Sequence, residues 1–210
     1  MPQPGLNWNI AGLILAGGRA TRMGGEDKAL LPLDGRPLVQ HAIERLRPQV
    51  GMLALNANGD PSRFACTGLP VIPDGVPGFA GPLAGLLAGL EWAAERGADA
   101  VVTVAVDTPF FPSDLVARLT AAAEAEGATA AVAATRGPKG VKPHPTFGLW
   151  PVACRGALAE ALADGTRRVR DWSDACGAVT LVFHEAGEPF FNVNTPDDLV
   201  RARSLPTVIE

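Results

Sequence analysis

The sequence has only three cysteines and no C-x-x-C motif. This argues against two common classes of small protein, the disulfide-stabilised and the zinc-ribbon proteins. Cys66, Cys154 and Cys176 are widely spaced and form no C-x-x-C pair. An odd number of cysteines in this arrangement argues against a disulfide framework and against a zinc ribbon. Structural thiols in a reducing compartment are the interpretation that this usage favours.

The sequence also shows no excess of positive charge, no signal-peptide pattern in its first residues and no long apolar run. The formal net charge is −4, so no overall field attracts the chain to nucleic acid or to an anionic membrane. The first residues contain neither the basic nor the apolar segment of a signal peptide, and no run reaches the length of a membrane span. We therefore expect a cytoplasmic protein with no nucleic-acid partner and no membrane partner.

No arrangement of nucleophile and base can be read from the sequence. Neither a Ser-His-Asp nor a Cys-His pattern is present, so covalent catalysis is not indicated.

A hydrophobic content of 47% and a charged content of 19% are typical of an ordinary globular protein. The length predicts one domain over residues 1–210, with residues 1–8 as a loose N-terminal tail.

The most informative feature that is present is a glycine-rich loop. The apolar run Ile10 to Leu15 predicts a buried strand, which opens into a loop at Gly17 and Gly18. Glycines leave the backbone N–H groups accessible, so a ligand can approach them closely. The sequence therefore predicts that backbone groups here bind a ligand.

Three cations follow within ten residues: Arg19, Arg22 and Lys28. Bare amides beside cations are typical of a phosphate-binding loop. The loop is not a Walker A motif, because Lys28 is followed by Ala29, and no G-x-G-x-x-G dinucleotide fingerprint occurs. Lys28 is expected to neutralise charge on the reacting phosphates, with Arg19 and Arg22 assisting, although a solvated loop lysine is the simpler alternative.

Strand and helix patterns alternate along the chain. Besides residues 10–15, apolar runs predict strands at residues 52–56, 70–72, 100–106, 128–135 and 178–183. Amphipathic or capped segments predict helices that begin at Pro37, near Leu83, after an N-cap at Ser113 and after an N-cap at Thr195. This alternation predicts an α/β fold with a doubly wound, mostly parallel sheet between helices. Ligands of such folds bind beyond the carboxyl ends of the strands, so the Gly17 loop, Asn56 and Asp107 are expected on one rim.

Asp107 is the strongest single candidate for a functional side chain. It follows directly on a buried apolar strand, where a carboxylate needs a partner. One interpretation is an aspartate that caps the turn at Pro109. The other is a Mg²⁺ ligand, since this hard cation takes a carboxylate and keeps waters and phosphate oxygens.

Asp74 and Asn56 are candidates for binding a base and a ribose. A carboxylate can accept both hydrogen-bond donors on the pairing edge of guanine, and a site built on such bonds rejects the wrong base. From the residues alone, a turn at Asp74-Gly75 and a strand-end cap at Asn56 are equally good interpretations.

Two further groups of residues are candidates for binding an acceptor. Asn192 and Asn194 flank Val193 in an extended segment, so both amides can point into one pocket. Arg167 and Arg168, with Arg170, form a basic triplet that suits an anionic acceptor and equally suits a solvated helix face.

These motifs together resemble a known family. The segment from Leu15 to Lys28, LAGGRATRMGGEDK, resembles the signature of nucleotidyltransferases, and its form is similar to that of the molybdenum cofactor guanylyltransferases, the MobA family. Three further segments agree with that family: Asn56-Ala57-Asn58, Asp107-Thr108-Pro109 and Phe191-Asn192-Val193-Asn194-Thr195-Pro196. The triplet His144-Pro145-Thr146 also matches, without a role that the sequence explains. The resemblance runs from about residue 10 to the last helix.

The resemblance implies a Rossmann-like nucleotidyltransferase fold and a specific reaction. GMP would pass from GTP to the terminal phosphate of molybdopterin or of the molybdenum cofactor, with release of pyrophosphate and with Mg²⁺ as cofactor. It also implies transient contacts with other cofactor-assembly proteins. The alternatives are a cytidylyl- or other nucleotidyltransferase that acts on the same pterin or on a sugar phosphate, and a non-catalytic nucleotide-binding protein.

The expected site residues follow from the motifs and the resemblance together. Catalysis is assigned to Lys28, Asp107 and Arg22, and the metal to Asp107. GTP binding is assigned to Leu15, Ala16, Gly17, Gly18, Arg19, Lys28, Asn56, Asp74 and Asp107. Many members of the wider class carry an acidic second metal ligand where this chain has Asn192 and Asn194, so these asparagines, with Arg167 and Arg168, are assigned to the acceptor.

Overall fold

The computed structural model describes residues 8–17, 27–75, 81–138, 140–184 and 187–205. Of the predicted site residues, Gly18, Arg19 and Arg22 lie outside this described part, as does nearly all of the predicted N-terminal tail. No helix of the described part is long and apolar enough to cross a bilayer.

The elements alternate as predicted, although some elements and bounds differ. The strands are β1 (Ile10–Leu15), β2 (Pro32–Leu33), β3 (Arg36–Pro37), β4 (Met52–Asn56), β5 (Val71–Ile72), β6 (Ala100–Ala105), β7 (Ala131–Gly137), β8 (Gly140–Pro151) and β9 (Val179–Phe183). The helices are α1 (Leu38–Leu46), α2 (Pro82–Ala94), α3 (Leu115–Ala125), α4 (Arg155–Ala163), α5 (Val169–Ala175) and α6 (Pro196–Ser204). Helices α4 and α5 were not predicted, the strand predicted at 128–135 spans 131–137, and the first helix begins at Leu38 with Pro37 as its N-cap.

The main sheet has the order β5-β4-β1-β6-β8-β7-β9. The pairs β5–β4, β4–β1, β1–β6 and β7–β9 are parallel, whereas β8 runs antiparallel to both β6 and β7. The prediction of a mostly parallel sheet between helices is therefore confirmed, with one reversed strand that the sequence analysis did not predict. The hairpin β2–β3 is a separate two-stranded sheet beside α1 and was also not predicted.

Strand β8 accommodates prolines because much of it pairs on one side only. Residues 148–151 pair with β6, while the preceding residues, including Pro143, pair with β7 alone. A proline cannot donate to a sheet ladder, so it is tolerated where one side of the strand is unpaired. The register also shifts, since Val132 pairs with Gly148 and Ala133 with His144, which leaves residues 145–147 in a bulge.

The core consists of two large apolar layers, one on each face of the sheet, and a smaller cluster formed by Leu31, Leu33, Leu38, Val193 and Ala202. Strand β1 contributes Ile14 to the layer shared with α1 and α3, and Leu13 to the layer shared with α2, α4 and α5. Both side chains have 0% exposure, as expected for a central strand that is covered on both faces. The sheet therefore forms a rigid base for the loops at its edge.

The helix ends are partly as predicted. Thr195 caps α6 in a capping box, in which its hydroxyl accepts from the Asp198 N–H at 3.1 Å and the Asp198 carboxylate accepts from the Thr195 N–H at 2.9 Å. The N-cap of α3 is Asp114 and not Ser113, so that prediction is wrong by one residue. The Asp114 side chain makes no cap hydrogen bond and pairs instead with Arg118 one turn later.

Candidate active site

The polar residues that follow β1, β4 and β6 meet at one edge of the sheet. The Ala16 N–H donates to the Asn56 carbonyl at 2.9 Å, and the Val106 N–H donates to the Leu15 carbonyl at 3.1 Å. The Val193 N–H donates to the Asp107 carbonyl at 2.7 Å, which brings in the segment before α6. The predicted rim is confirmed, because these strands are parallel and their carboxyl ends face the same way.

Lys28 lies at the centre of this rim. Its Nζ is 2.7 Å from Asp107 Oδ2 and 2.6 Å from Asn194 Oδ1. The exposed fractions of the Lys28 and Asp107 side chains are 24% and 22%, so the pair is only partly accessible to solvent. Residues that are far apart in sequence thus place one ammonium between a carboxylate oxygen and an amide oxygen.

Thr108 and Asn192 support the other oxygen of the Asp107 carboxylate. The fully buried Thr108 hydroxyl lies 3.2 Å from Asp107 Oδ1 and 2.8 Å from Asn192 Oδ1. A hydroxyl has one proton, so it donates to one of these two oxygens at a time. Asn192 therefore contacts Thr108, which lies against the Asp107 carboxylate, whereas Asn194 contacts Lys28 directly.

The donor set at Lys28 fits a divalent cation of the hard type. Asp107 Oδ2 and Asn194 Oδ1 converge on a point that the ammonium occupies, so Lys28 Nζ acts as a stand-in cation there. Within the part of the chain that the structure describes, no cluster of three or more His, Cys, Asp or Glu could hold a metal by itself. Asp107 is therefore the carboxylate that could hold Mg²⁺ together with substrate phosphates, and the metal stays a prediction.

A second polar cluster lies at the end of β4. Asn56 Nδ2 donates to Asp74 Oδ1 at 3.0 Å, and Asn58 Nδ2 donates to Asp74 Oδ2 at 2.7 Å. Asn58 Oδ1 also accepts from the Asp74 N–H at 2.9 Å. Both carboxylate oxygens are therefore held by amides, and each retains a lone pair for a further donor. The sequence analysis singled out Asn56 and Asp74 but assigned no role to Asn58.

Helix α2 approaches Asn56 at a glycine. A Cβ on Gly85 would lie 2.1 Å from Asn56 Oδ1, so no other residue fits there without displacing that side chain. Asn56 itself is 3% exposed, and its Nδ2 also donates to the Ile72 carbonyl at 3.0 Å. Gly17 borders the same amide, since a Cβ there would lie 3.5 Å from Asn56 Oδ1. Close backbone approach from two sides thus fixes the Asn56 side chain.

Arg167 has a local structural partner. Its Nη1 donates to the carbonyls of Leu162 at 2.7 Å and Thr166 at 2.9 Å, just after the end of α4. A cation that binds the last carbonyls of a helix stabilises that terminus. Arg168 is the N-cap residue of α5. Nothing in these contacts tests the predicted acceptor role of the two arginines, which stays a prediction.

His144 packs beneath the segment that carries the two asparagines. Its ring stacks on Phe190 with centroids 4.6 Å apart, and Phe190 in turn contacts Phe147 and Phe183. Its Nε2 lies 2.8 Å from the Thr135 hydroxyl. Burial, assisted by the charge of Lys142, lowers the pKa of His144 from 6.5 to about 4. The matching His-Pro-Thr triplet thus has a structural explanation, because His144 is a neutral ring in an aromatic cluster.

The lowered pKa of His144 predicts a loss of stability in acid. Between about pH 6.5 and pH 4 the unfolded chain binds a proton on His144 that the folded chain does not, so the free energy of unfolding falls as the pH decreases. His144→Gln removes this titration. We expect the decrease in urea midpoint from pH 7 to about pH 5 to be smaller in that variant than in the wild type. His184→Gln, at an exposed position, is the control and should follow the wild type. Equal decreases in all three proteins would contradict the prediction.

Solved structures place the fold in a known class. A protein from Archaeoglobus fulgidus described as molybdopterin-guanine dinucleotide biosynthesis protein A has a TM-score of 0.70 at 23% identity, covering 92% of this chain and 97% of that chain. CMP:2-keto-3-deoxy-manno-octonic acid synthetase complexed with CTP also gives a TM-score of 0.70, at 15% identity over 93% of this chain and 97% of that chain. The fold is the Rossmann-like fold of nucleotidyltransferases.

Sequence comparisons define the family. The model of the MobA-like NTP transferase domain matches residues 12–179. A molybdenum cofactor guanylyltransferase of Mesorhizobium japonicum is 52% identical over 94% of this chain and 96% of that protein. Another, of Cereibacter sphaeroides, is 54% identical over 93% of this chain and 96% of that protein. The chain belongs to the MobA-like NTP transferase family, in its branch of molybdenum cofactor guanylyltransferases.

Proposed function

We propose that this protein transfers GMP from GTP to the terminal phosphate of molybdopterin or of the molybdenum cofactor and releases pyrophosphate. The observation that carries this proposal is the convergence of Lys28, Asp107 and Asn194 at the edge of the sheet. Relatives at 52% and 54% identity are named molybdenum cofactor guanylyltransferases, which supports a guanylyl donor and this acceptor.

Lys28 is proposed to bind the reacting phosphates. Displacement at phosphorus requires positioning and charge stabilisation more than covalent help from the protein. An ammonium whose partners are one carboxylate and one neutral amide keeps attraction for the several negative charges of a nucleotide triphosphate. Gly18, Arg19 and Arg22 are assigned to the same phosphates on the sequence pattern, together with the backbone of Leu15, Ala16 and Gly17.

Asp107 and Asn194 are proposed to hold Mg²⁺ when the nucleotide is present, while the acceptor role that the sequence predicts for Asn192 and Asn194 stays a prediction. When bound there, the ion would neutralise charge on the phosphate oxygens. Thr108 and Asn192 keep the Asp107 carboxylate oriented through the hydroxyl contacts described above. The acceptor phosphate is largely ionised at neutral pH, so the attack on the α-phosphorus needs no general base.

The Asn56–Asp74–Asn58 cluster is proposed to recognise guanine. The two amides hold the Asp74 carboxylate, and its remaining lone pairs can accept the N1–H and N2–H₂ donors of the base. Adenine and cytosine present a mismatched edge, so buried polar groups would remain unpaired with them. A cytoplasmic location and contacts with other assembly proteins stay predictions.

The base assignment predicts selective stabilisation by GTP that depends on Asp74. At 100 times its dissociation constant, a nucleotide adds about 2.7 kcal/mol to the free energy of unfolding, which thermal scans resolve easily. With Mg²⁺ present, we expect GTP to raise the Tm of the wild type more than ATP, CTP or UTP. Asp74→Asn should lose that preference, because an amide cannot accept both guanine donors.

The matched control is Asp99→Asn at the opposite end of the sheet, where the carboxylate accepts from the Asn9 N–H at 2.8 Å. It should keep the GTP preference. A CTP preference in the wild type would overturn the guanylyl assignment, and a preference for GTP that survives Asp74→Asn would remove Asp74 from base recognition.

A further inference from the structure

Arg63 contacts both polar clusters of the candidate site. It contacts Asp27, the neighbour of Lys28, and Asn58, a member of the Asn56–Asp74–Asn58 cluster. Its Nε is 2.7 Å from Asp27 Oδ2, and its Nη2 donates to the Asn58 carbonyl at 2.7 Å. Its Nε is shielded from solvent and pairs with Asp27 as an ion pair without a hydrogen bond, and the exposed fractions of the Arg63 and Asp27 side chains are 30% and 24%. Shielding reduces the screening that makes exposed ion pairs weak.

At one end of this contact, Asp27 caps the short helix that carries Lys28. Asp27 is the N-cap of the short 3-10 helix Lys28–Leu30, and its Oδ1 accepts from the Ala29 N–H at 3.0 Å. One oxygen of the carboxylate thus holds the first turn, while the other is held by Arg63. The carboxylate of Asp27 therefore links the guanidinium to the turn that begins at Lys28.

The Asn58 end determines where Asp74 lies. Asn58 binds Asp74 through both its amide nitrogen and its amide oxygen, at 2.7 and 2.9 Å. Arg63 holds the backbone carbonyl of the same asparagine. Neighbouring Gly59 has φ of +86°, and a Cβ there would lie 3.0 Å from Arg63 Nη1. The loop is therefore shaped so that the guanidinium fits against it.

We propose that Arg63 is a positioning residue that fixes the separation between the base-binding carboxylate Asp74 and the phosphate-binding Lys28. This inference rests on the proposed function, which gives those two residues their roles. With the separation fixed, a nucleotide whose base is seated at Asp74 places its phosphates at Lys28 without a search. The planar fork of arginine suits this task, because it makes two contacts at once and a lysine makes one.

The test compares Arg63→Met with Arg96→Met. Arg96 is a close match, since it donates to the Trp92 carbonyl at 2.9 Å, pairs with Glu95 and lies over an aromatic ring, but it follows α2 at the far end of the sheet. The measurement is the rate of backbone amide hydrogen exchange. Arg63→Met should raise this rate in both residues 28–30 and residues 57–60, whereas Arg96→Met should raise it in neither segment. No nucleotide is needed for this measurement. Unchanged exchange in both segments of Arg63→Met would overturn the proposal.

The kinetic test separates the two ends of the contact. Arg63→Met should weaken GTP binding about tenfold and lower kcat about tenfold, as expected when the ion pair to Asp27 and the charge-assisted hydrogen bond to the Asn58 carbonyl are both lost. Arg63→Lys should fall between it and the wild type. In an Asp27→Asn background, Arg63→Met should still weaken GTP binding, through Asn58, but change kcat less than about twofold. Full additivity in kcat would contradict an action through Asp27.

The two proposals fail in different ways. A wild-type protein that binds no GTP would overturn the proposed function, while the exchange experiment would still decide whether Arg63 joins the two segments. If the wild type binds GTP selectively but Arg63→Met has normal kinetics, the inference about Arg63 would be overturned and the proposed function would stand.

Discussion

Replacing Lys28 with methionine is expected to lower the rate of guanylyl transfer by about 10²–10³-fold while the Tm changes little. Methionine keeps the length of the side chain and removes the ammonium, which is the charge that faces the phosphates. The measurement is pyrophosphate release at saturating GTP and acceptor. Lys142→Met, at an exposed position of β8, makes the same chemical change and should retain full activity.

Lys28→Met is also expected to bind a divalent cation more tightly, which can be measured without catalysis. Without nucleotide, the ammonium of Lys28 occupies the point on which Asp107 Oδ2 and Asn194 Oδ1 converge. Removing it frees both oxygens, so Lys28→Met should bind Mn²⁺ in the absence of GTP at least about fivefold more tightly than the wild type, as followed by electron paramagnetic resonance. Equal Mn²⁺ affinities, or retained activity, would show that Lys28 does not have the role given to it.

The second large effect is expected at Asp107. Asp107→Asn keeps a side chain of the same shape but removes the charge that holds both Lys28 and the proposed Mg²⁺. We expect transfer to fall by about 10³-fold, the upper range for loss of one preorganised electrostatic group. The affinity of the GTP complex for Mn²⁺ should fall in parallel.

Asp114→Asn is the control for this change. Asp114 lies on the same stretch before α3, is 58% exposed and pairs with Arg118 at 3.6 Å. Its neutralisation should leave both transfer and Mn²⁺ binding as in the wild type. If Asp107→Asn kept its metal affinity, the metal would be held elsewhere and the donor set proposed here would be wrong.

Local patterns were enough to predict the elements that carry most of the site. The strands at residues 10–15 and 52–56 were predicted with their observed bounds, because a buried central strand is a short continuous apolar run between turn residues. Glycine and polar residues directly after these runs then indicated the rim. The N-cap at Thr195 was predictable for the same reason, since the cap and the first turn of α6 are adjacent in sequence, and the structure adds that Asp198 completes a capping box.

Strand β8 could not be predicted from its own residues. Pro143 and Pro145 argue against a strand, and only the absence of a second partner along residues 140–147 permits them. Which neighbour a strand has, and on how many sides, is a property of the assembled sheet.

The sequence by itself was enough to predict the fold class and the family, and it singled out Lys28, Asp107, Asn56 and Asp74 as candidate site residues. The strands and the positions of Lys28 and Asp107 follow from short-range chemistry, in which an apolar run ends and a polar group begins, whereas the family and the roles of Asn56 and Asp74 follow from the resemblance of the motifs. The tertiary structure alone decided that Asn194 shares Lys28 with Asp107, that Asn58 holds Asp74, and that Arg63 joins Asn58 to Asp27. The Lys28–Asn194 contact spans 166 residues, and the meeting of such distant groups depends on how strands and loops pack, which no local pattern encodes.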